Sequence, residues 1–298
     1  MNKHLRSLLL FLLIIVLSGT LLAAFKFLAQ NSPAKNSESI VAATIFPIYD
    51  IAKNIAGSEI KTVLILPPGA DAHSFEPSPS LLKELNGAKV VYTIGGNLDN
   101  WASVLAQNVG AEIVMVNSGI KLRAANDEED GPFDPHYWLS VPNAKIIASN
   151  IANDLIVRFP ASQESITANL NIYLSQLDNL DLETRTALQN LPQKNLVTFH
   201  DAWYYFAEEY GLTVAGTFEP TAGREPTPQY LADLVTKLQA AKVKTVYYEP
   251  QMSIAGLETF IKDYNVNLAV LDDIGGTAPY DSYLNLIKTN VSTLQKNQ

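Results

Sequence analysis

Three of the chain's four histidines, His73, His136 and His200, fall in loops or at strand ends, where side chains can converge on one ligand. A neutral imidazole gives a nitrogen lone pair to a transition metal, and it does so best when a carboxylate or carbonyl holds its other ring nitrogen. Acids stand beside all three: Asp71 and Glu76 around His73, Asp134 before His136, and Asp201 after His200. The spacing is long-range, so no local motif of the HExxH kind is present. A lone loop histidine is usually structural, but three with acidic neighbours, and none elsewhere beyond His4, point to a shared metal centre. A fourth donor is expected from a carboxylate at a strand end. Asp272 and Asp273 in NLAVLDDIGG qualify, and so does Glu249 in VYYEPQ, against the commoner role of such acids in capping helices and closing loops.

Positioning such a set falls to an alternating pattern. Apolar runs at Ile40–Phe46, Lys61–Leu66, Val90–Ile94 and Glu112–Val116 read as strands, separated by helical stretches at Pro47–Ala56, Ser80–Leu85 and Leu98–Val109. A second set follows at Asn195–Phe199, Thr213–Phe218, Thr245–Tyr248 and Leu268–Leu271. Its helices are Ala202–Tyr210, Pro228–Ala241, Ile254–Tyr264 and a last one from Tyr280 onward. Apolar strands alternating with helices predict parallel sheet, hence an α/β fold of two successive four-strand units. Ligands in such sheets bind beyond the carboxyl ends of the strands, which is where the three histidines fall. Between the units the spacing predicts an amphipathic helix over Asn143–Phe159, stopped at Pro160, and a long one over Ser162–Leu191, stopped at Pro192. The expected organisation is residues 1–38 as targeting segment and linker, 39–160 as the first lobe, 161–192 as a spine helix and 193–298 as the second lobe.

The N-terminus carries Lys3, His4 and Arg6 before an uncharged apolar run, Leu8–Phe25, of 18 residues. A basic flank followed by an apolar segment predicts export, with the run acting as a signal anchor or a cleaved signal peptide. Gln30–Glu38 then reads as a polar linker. Beyond residue 38 the chain has 17 basic against 29 acidic residues, net −12, a balance that repels phosphate backbones and argues against nucleic acid as a partner. There is no cysteine among the 298 residues, which excludes disulfides, thiolate metal sites, cysteine nucleophiles and an acylated lipobox cysteine.

The segments GADAHSFEPSP, DPHYWLS, VTFHDAWYYFAEEYGL, VYYEPQ and VLDDIGG, in this order and spacing, resemble the zinc/manganese solute-binding proteins of ABC importers, the cluster A-I group of ZnuA- and TroA-like proteins. The resemblance spans about Ser39–Gln298 and implies two (β/α)4 lobes joined by a spine helix, with the metal in the interlobe cleft. It implies His73 and His136 as ligands from the first lobe and His200 and Asp272 from the second, with no catalytic residues. It also implies delivery to a membrane permease, by a protein expected to be a monomer outside the cytoplasm. Two departures stand out. Ser140 replaces the acid of the family's WLDP phrase, and KLRAANDEEDGPF, short and acidic, stands where zinc-specific members often carry a histidine-rich loop. Three imidazoles and one carboxylate suit Zn²⁺, whereas Mn²⁺ prefers more oxygen. Manganese-type members tend to have glutamate where this chain has His200, so Zn²⁺ is the expected cargo and Mn²⁺ the alternative.

Three other readings stay open on sequence alone. A zinc hydrolase would leave one coordination position to water, with Asp272 as general base, although HExxH and GxSxG are both absent. A surface adhesin would use the metal to stabilise its fold. A binder of organic solutes or metal chelates would leave the three loop histidines coincidental.

Overall fold

The computed structural model describes residues 2, 39–126, 131–219, 226–252, 255–264 and 266–297. The apolar run Leu8–Phe25, the linker Gln30–Glu38 and the acids Asp127, Glu128, Glu129 and Asp130 lie outside the described residues. Among the described residues, no helix is long and apolar enough to cross a membrane.

Among the described residues, eight short strands form two separate four-stranded sheets, each parallel throughout. The first contains β1 (Ile40–Ala43), β2 (Lys61–Leu64), β3 (Ala88–Thr93) and β4 (Glu112–Met115), in the order β2-β1-β3-β4. The second contains β5 (Asn195–Thr198), β6 (Thr213–Thr217), β7 (Thr245–Tyr248) and β8 (Asn267–Val270), in the matching order β6-β5-β7-β8. Parallel strands need crossovers, and helices supply most of them: α1 (Phe46–Ala56), α2 (Leu81–Glu84) and α3 (Ala102–Val109) in the first unit. Two helices lie between the sheets, α4 (Val141–Arg158) and α5 (Gln163–Gln189). The second unit adds α6 (Tyr204–Tyr210), α7 (Pro228–Ala241), α8 (Ala255–Tyr264) and α9 (Tyr283–Lys296).

The two-unit α/β reading of the sequence holds, with element ends moved by local chemistry. The helix expected from Leu98 starts at Ala102, because Asp99 turns back to accept the backbone N–H groups of Ile94 and Gly95 at 2.7 and 2.9 Å. That carboxylate fixes residues 94–99 as a turn. The helix expected from Tyr280 starts at Tyr283, where Asp50, 233 residues away, accepts the Tyr283 N–H at 2.9 Å and Ser282 caps Asn285 at 3.1 Å. Ser140 proves to be the N-cap of α4, its Oγ accepting from Asn143 N at 3.4 Å, with Pro142 in the first turn.

The 27 residues of α5 reach about 40 Å at 1.5 Å per residue. Its apolar stripe, Ile166, Tyr173, Leu177, Leu180 and Leu188, is buried against α1 and α4 of the first unit and α9 of the second. One apolar cluster accordingly runs from Val41 and Val90 in the first sheet through Leu177 to Leu271 and Leu294 in the second half. A second cluster, including Phe199, Phe218, Val246 and Phe260, covers the far face of the second sheet. Opening the two halves widely would expose the shared cluster to water, so the fold favours small displacements over a large swing. Two buried hydrogen bonds reinforce the seam. Trp138 Nε1 donates to Asp273 O and Tyr283 Oη donates to Trp138 O, both at 2.7 Å.

Candidate metal centre

Three segments bring the histidines together at this seam. His73 sits in the loop after β2, where Asp71 Oδ1 accepts the His73 backbone N–H at 3.0 Å and Oδ2 accepts Ser74 Oγ at 2.6 Å. Trp101 Nε1 donates to Ala72 O at 3.1 Å and pins that loop to the turn preceding α3. His136 precedes a single 3-10 turn, Tyr137–Leu139, after β4. His200 stands just past the end of β5, the strand from which the second sheet's order runs in both directions, and such a switch point leaves a crevice.

Side-chain nitrogens of the three histidines lie within 4.8 Å of one another, and they are the one such donor group found among the described residues. The ring centroids are 5.2 to 5.8 Å apart. His136 Nε2 and His200 Nε2 approach to 3.4 Å, and both residues are 1% exposed. Two donors on a tetrahedral ion with bonds of about 2.05 Å stand about 3.3 Å apart, whereas two at right angles stand about 2.9 Å apart. One pair of nitrogens stands at a separation that a single ion can bridge and all three lie within 4.8 Å, so the residues present suit one divalent ion.

Each ring has a different environment. His136 Nδ1 donates to Asp134 Oδ1 at 2.9 Å, which leaves Nε2 to point at the other histidines. Burial works against a charge on His136, but the Asp134 hydrogen bond and charge outweigh it and raise its pKa. His200 turns Nδ1 toward Glu249 Oε1 at 3.2 Å, and Trp203 Nε1 donates to the same oxygen at 2.9 Å. Burial again opposes the charge, yet Glu249 prevails, with help from Asp273 and Asp201, and raises the His200 pKa to about 10. His73 goes the other way: burial, then the two neighbouring histidines, push its pKa well below the usual value.

The expected partners divide accordingly. Asp134 holds His136 as the sequence suggests, and Asp71 shapes the His73 loop through its backbone, while Glu76 is exposed. Asp201 is not the partner of the His200 ring; its Oδ2 accepts from Asn126 Nδ2 at 3.3 Å. Glu249, fully buried at the end of β7, takes that place instead. Asp201 lies in the bend after β5 and spends its carboxylate on Asn126, whereas pairing of β5 with β7 brings Glu249, just past the end of β7, to the ring. Ser140 serves α4 and Glu209 Oε2, to which its Oγ donates at 3.4 Å.

Asp272 lies outside the three-histidine group as positioned. Its Oδ1 accepts the N–H groups of Ile274 and Gly275 at 3.0 and 2.8 Å, closing the turn after β8. Asp273 is buried beside it and receives Gln251 Nε2; burial pushes its pKa up to about 7 against the pull of His200.

Residues 41–297 match a family model described as zinc-uptake complex component A, periplasmic. The manganese ABC transporter substrate-binding lipoprotein PsaA of Streptococcus mitis is 32% identical over 280 residues, covering 89% of this chain and 91% of its own. The iron ABC transporter substrate-binding lipoprotein MtsA of Streptococcus pyogenes serotype M1 is 30% identical over 297 residues, with 93% and 96% covered. A crystal structure of ZnuA matches with a TM-score of 0.78 at 26% identity, over 87% of this chain and 99% of that one.

Proposed function

The chain belongs to the zinc-uptake complex component A family of ABC-importer substrate-binding proteins, and on that premise we propose that it captures one Zn²⁺ ion outside the cytoplasm and passes it to a permease. It is a carrier of metal and not an enzyme. The observation that carries the zinc reading is the approach of three imidazoles, two of them on buried rings that face carboxylates, with 3.4 Å between two Nε2 atoms. Zn²⁺ favours nitrogen-rich tetrahedral sets, and Mn²⁺ favours oxygen-rich octahedral ones. Manganese keeps support as the second reading because PsaA of Streptococcus mitis is named for it.

Capture follows from the charges. In the metal-free protein the raised pKa of His200 keeps a proton on that ring, paired with Glu249. An incoming dication displaces a proton from the ring and leaves Nδ1–H facing the carboxylate, which holds the ring in its ligating orientation. His73 needs no such exchange, since burial already keeps it neutral. His73, His136 and His200 supply three donors in this scheme. Asp272 supplies the fourth once the turn after β8 releases a backbone bond, with Asp273 as its competitor. Residues 39–160 and 193–298 act as the two lobes, 161–192 as the brace between them, and the protein works as a monomer. Leu8–Phe25 anchors it to the membrane, standing in for the lipid of its lipoprotein relatives.

Elemental analysis of the purified protein, followed by a Zn²⁺/Mn²⁺ competition titration, tests this reading. One ion per chain and tighter Zn²⁺ binding are expected. A protein that binds neither ion tightly overturns the carrier reading, and a preference for Mn²⁺ overturns the zinc assignment alone. In the same titration D272A should weaken binding more than D273A; the reverse order moves the fourth donor to Asp273.

A further inference from the structure

A surface cation is wired to both sides of the candidate centre. Arg123, on the loop between β4 and the His136 turn, keeps about a third of its side chain exposed and carries no ligand atom. Towards the first half, its Nη1 meets Asp134 Oδ2 at 3.4 Å, while its carbonyl accepts the Asp134 N–H at 2.9 Å. Asp134 thus spends one carboxylate oxygen on Arg123 and the other on the His136 ring. Towards the second half, the Arg123 backbone N–H donates to Tyr205 Oη at 2.8 Å, and its guanidinium lies over the Tyr204 ring at 3.9 Å. Tyr205 Oη donates in turn to Asp134 O at 3.1 Å, closing a ring of bonds between the halves.

Tyr204 and Tyr205 open α6, and the residues just before them, Asp201–Trp203, follow directly on His200. Asn126, three residues after Arg123, adds a bond to Asp201 and also receives Arg123 Nη2 at 3.3 Å. A path of short contacts therefore runs from the His136 ring through Asp134 and Arg123 to the segment that carries His200. These contacts span the seam, so parting the halves stretches them, and breaking them frees His136 to leave His200. A cleft of about 430 Å³, lined in part by Lys121, Arg123 and Glu208, brings water to this side of the clamp. The flat guanidinium suits the task, because it stacks on an aromatic ring and bonds a carboxylate edge at once, which an ammonium cannot do equally well.

We propose that Arg123 is a positioning residue that holds His136 and His200 at ligating distance and thereby sets how slowly the bound metal leaves. The proposal rests on the metal-binding reading above and names a determinant of release within it.

Stopped-flow transfer of Zn²⁺ from the full chain in detergent to excess chelator reads the release rate directly. R123A should release Zn²⁺ about tenfold faster, in the range that loss of a ligand-orienting partner costs. Its association rate should change little, as most affinity changes fall on dissociation. R123K, which keeps the charge and loses the flat stack, should fall between wild type and R123A. Tyr204→Leu should also speed release, and the double variant R123A/Y204L should be no faster than R123A, because both remove one clamp. A merely structural role would lower the melting temperature without this non-additive pattern in release. Wild-type release from R123A, or rates that multiply in the double variant, overturn the proposal. Should R123A fail to fold, R123K decides: faster release supports the clamp, and the wild-type rate overturns it. A wild-type protein that binds neither Zn²⁺ nor Mn²⁺ at the outset sinks the carrier reading itself, a failure plainly distinct from these.

Discussion

His136 donates its Nδ1–H to Asp134, a carboxylate that also meets the partly exposed Arg123, whereas His200 turns its Nδ1 toward Glu249, fully buried and steadied by Trp203. The two imidazoles face each other at 3.4 Å and both partners are buried, yet Asp134 is itself paired with a partly exposed cation and Glu249 is not. Charge in a dry site acts at low effective dielectric, so Glu249 governs its histidine strongly, and its surroundings give it little room to adjust. Asp134 shares its charge with a cation that water can reach. The difference assigns His200 as the fixed post of the centre and His136 as the ligand whose support can loosen. A carrier needs both, since it must hold its ion firmly and still surrender it.

The largest separation between the two supports should come from removing their charges one at a time. E249Q should weaken Zn²⁺ binding by about 100-fold and D134N by about tenfold, the upper and lower ends of what such orienting partners contribute. Competition against a chromophoric chelator measures both. Equal losses would remove the distinction between post and adjustable ligand, and a larger loss in D134N would reverse it.

A smaller effect sharpens the same contrast through protons. His200, held at about 10 by Glu249, is protonated near neutrality, and a protonated ring cannot ligate, so binding must expel that proton. Raising the pH removes the competitor, and apparent affinity should rise between pH 6 and pH 8 by up to about tenfold per unit for each proton displaced. Metal-induced acidification of weakly buffered protein checks the sign. E249Q should release fewer protons per ion near pH 7 than wild type, because the carboxylate that keeps His200 charged is gone. Undiminished release from E249Q would place the displaced proton elsewhere.

Much of this arrangement is legible in the chain itself. The strands stand out as short apolar runs, and Pro228 marks a helix start and Pro160 and Pro192 helix stops that the structure respects within a few residues. The three histidines announce themselves by their places after strands. What sequence missed depends on long-range pairing. Asp201 looks like the partner of His200 because it is adjacent, while Glu249, 49 residues on, reaches the ring because β5 and β7 pair side by side. Asp272 was nominated by family likeness, and the commoner role of such an acid, closing a loop through backbone N–H groups, is also visible in its bonds. Arg123 gave no signal, since its meaning depends on Asp134 and on Tyr204 and Tyr205, which reach it only in the folded chain.

The central claim, that three imidazoles from both halves hold one ion, is tested most directly by X-ray absorption at the zinc edge of the protein loaded with one equivalent of Zn²⁺. Four light-atom neighbours at about 2.0 Å are expected, with the outer-shell scattering of three imidazoles, reduced to two in His73→Ala. Six oxygen-dominated neighbours at longer distance, or an imidazole signal unchanged by removing His73, would contradict it.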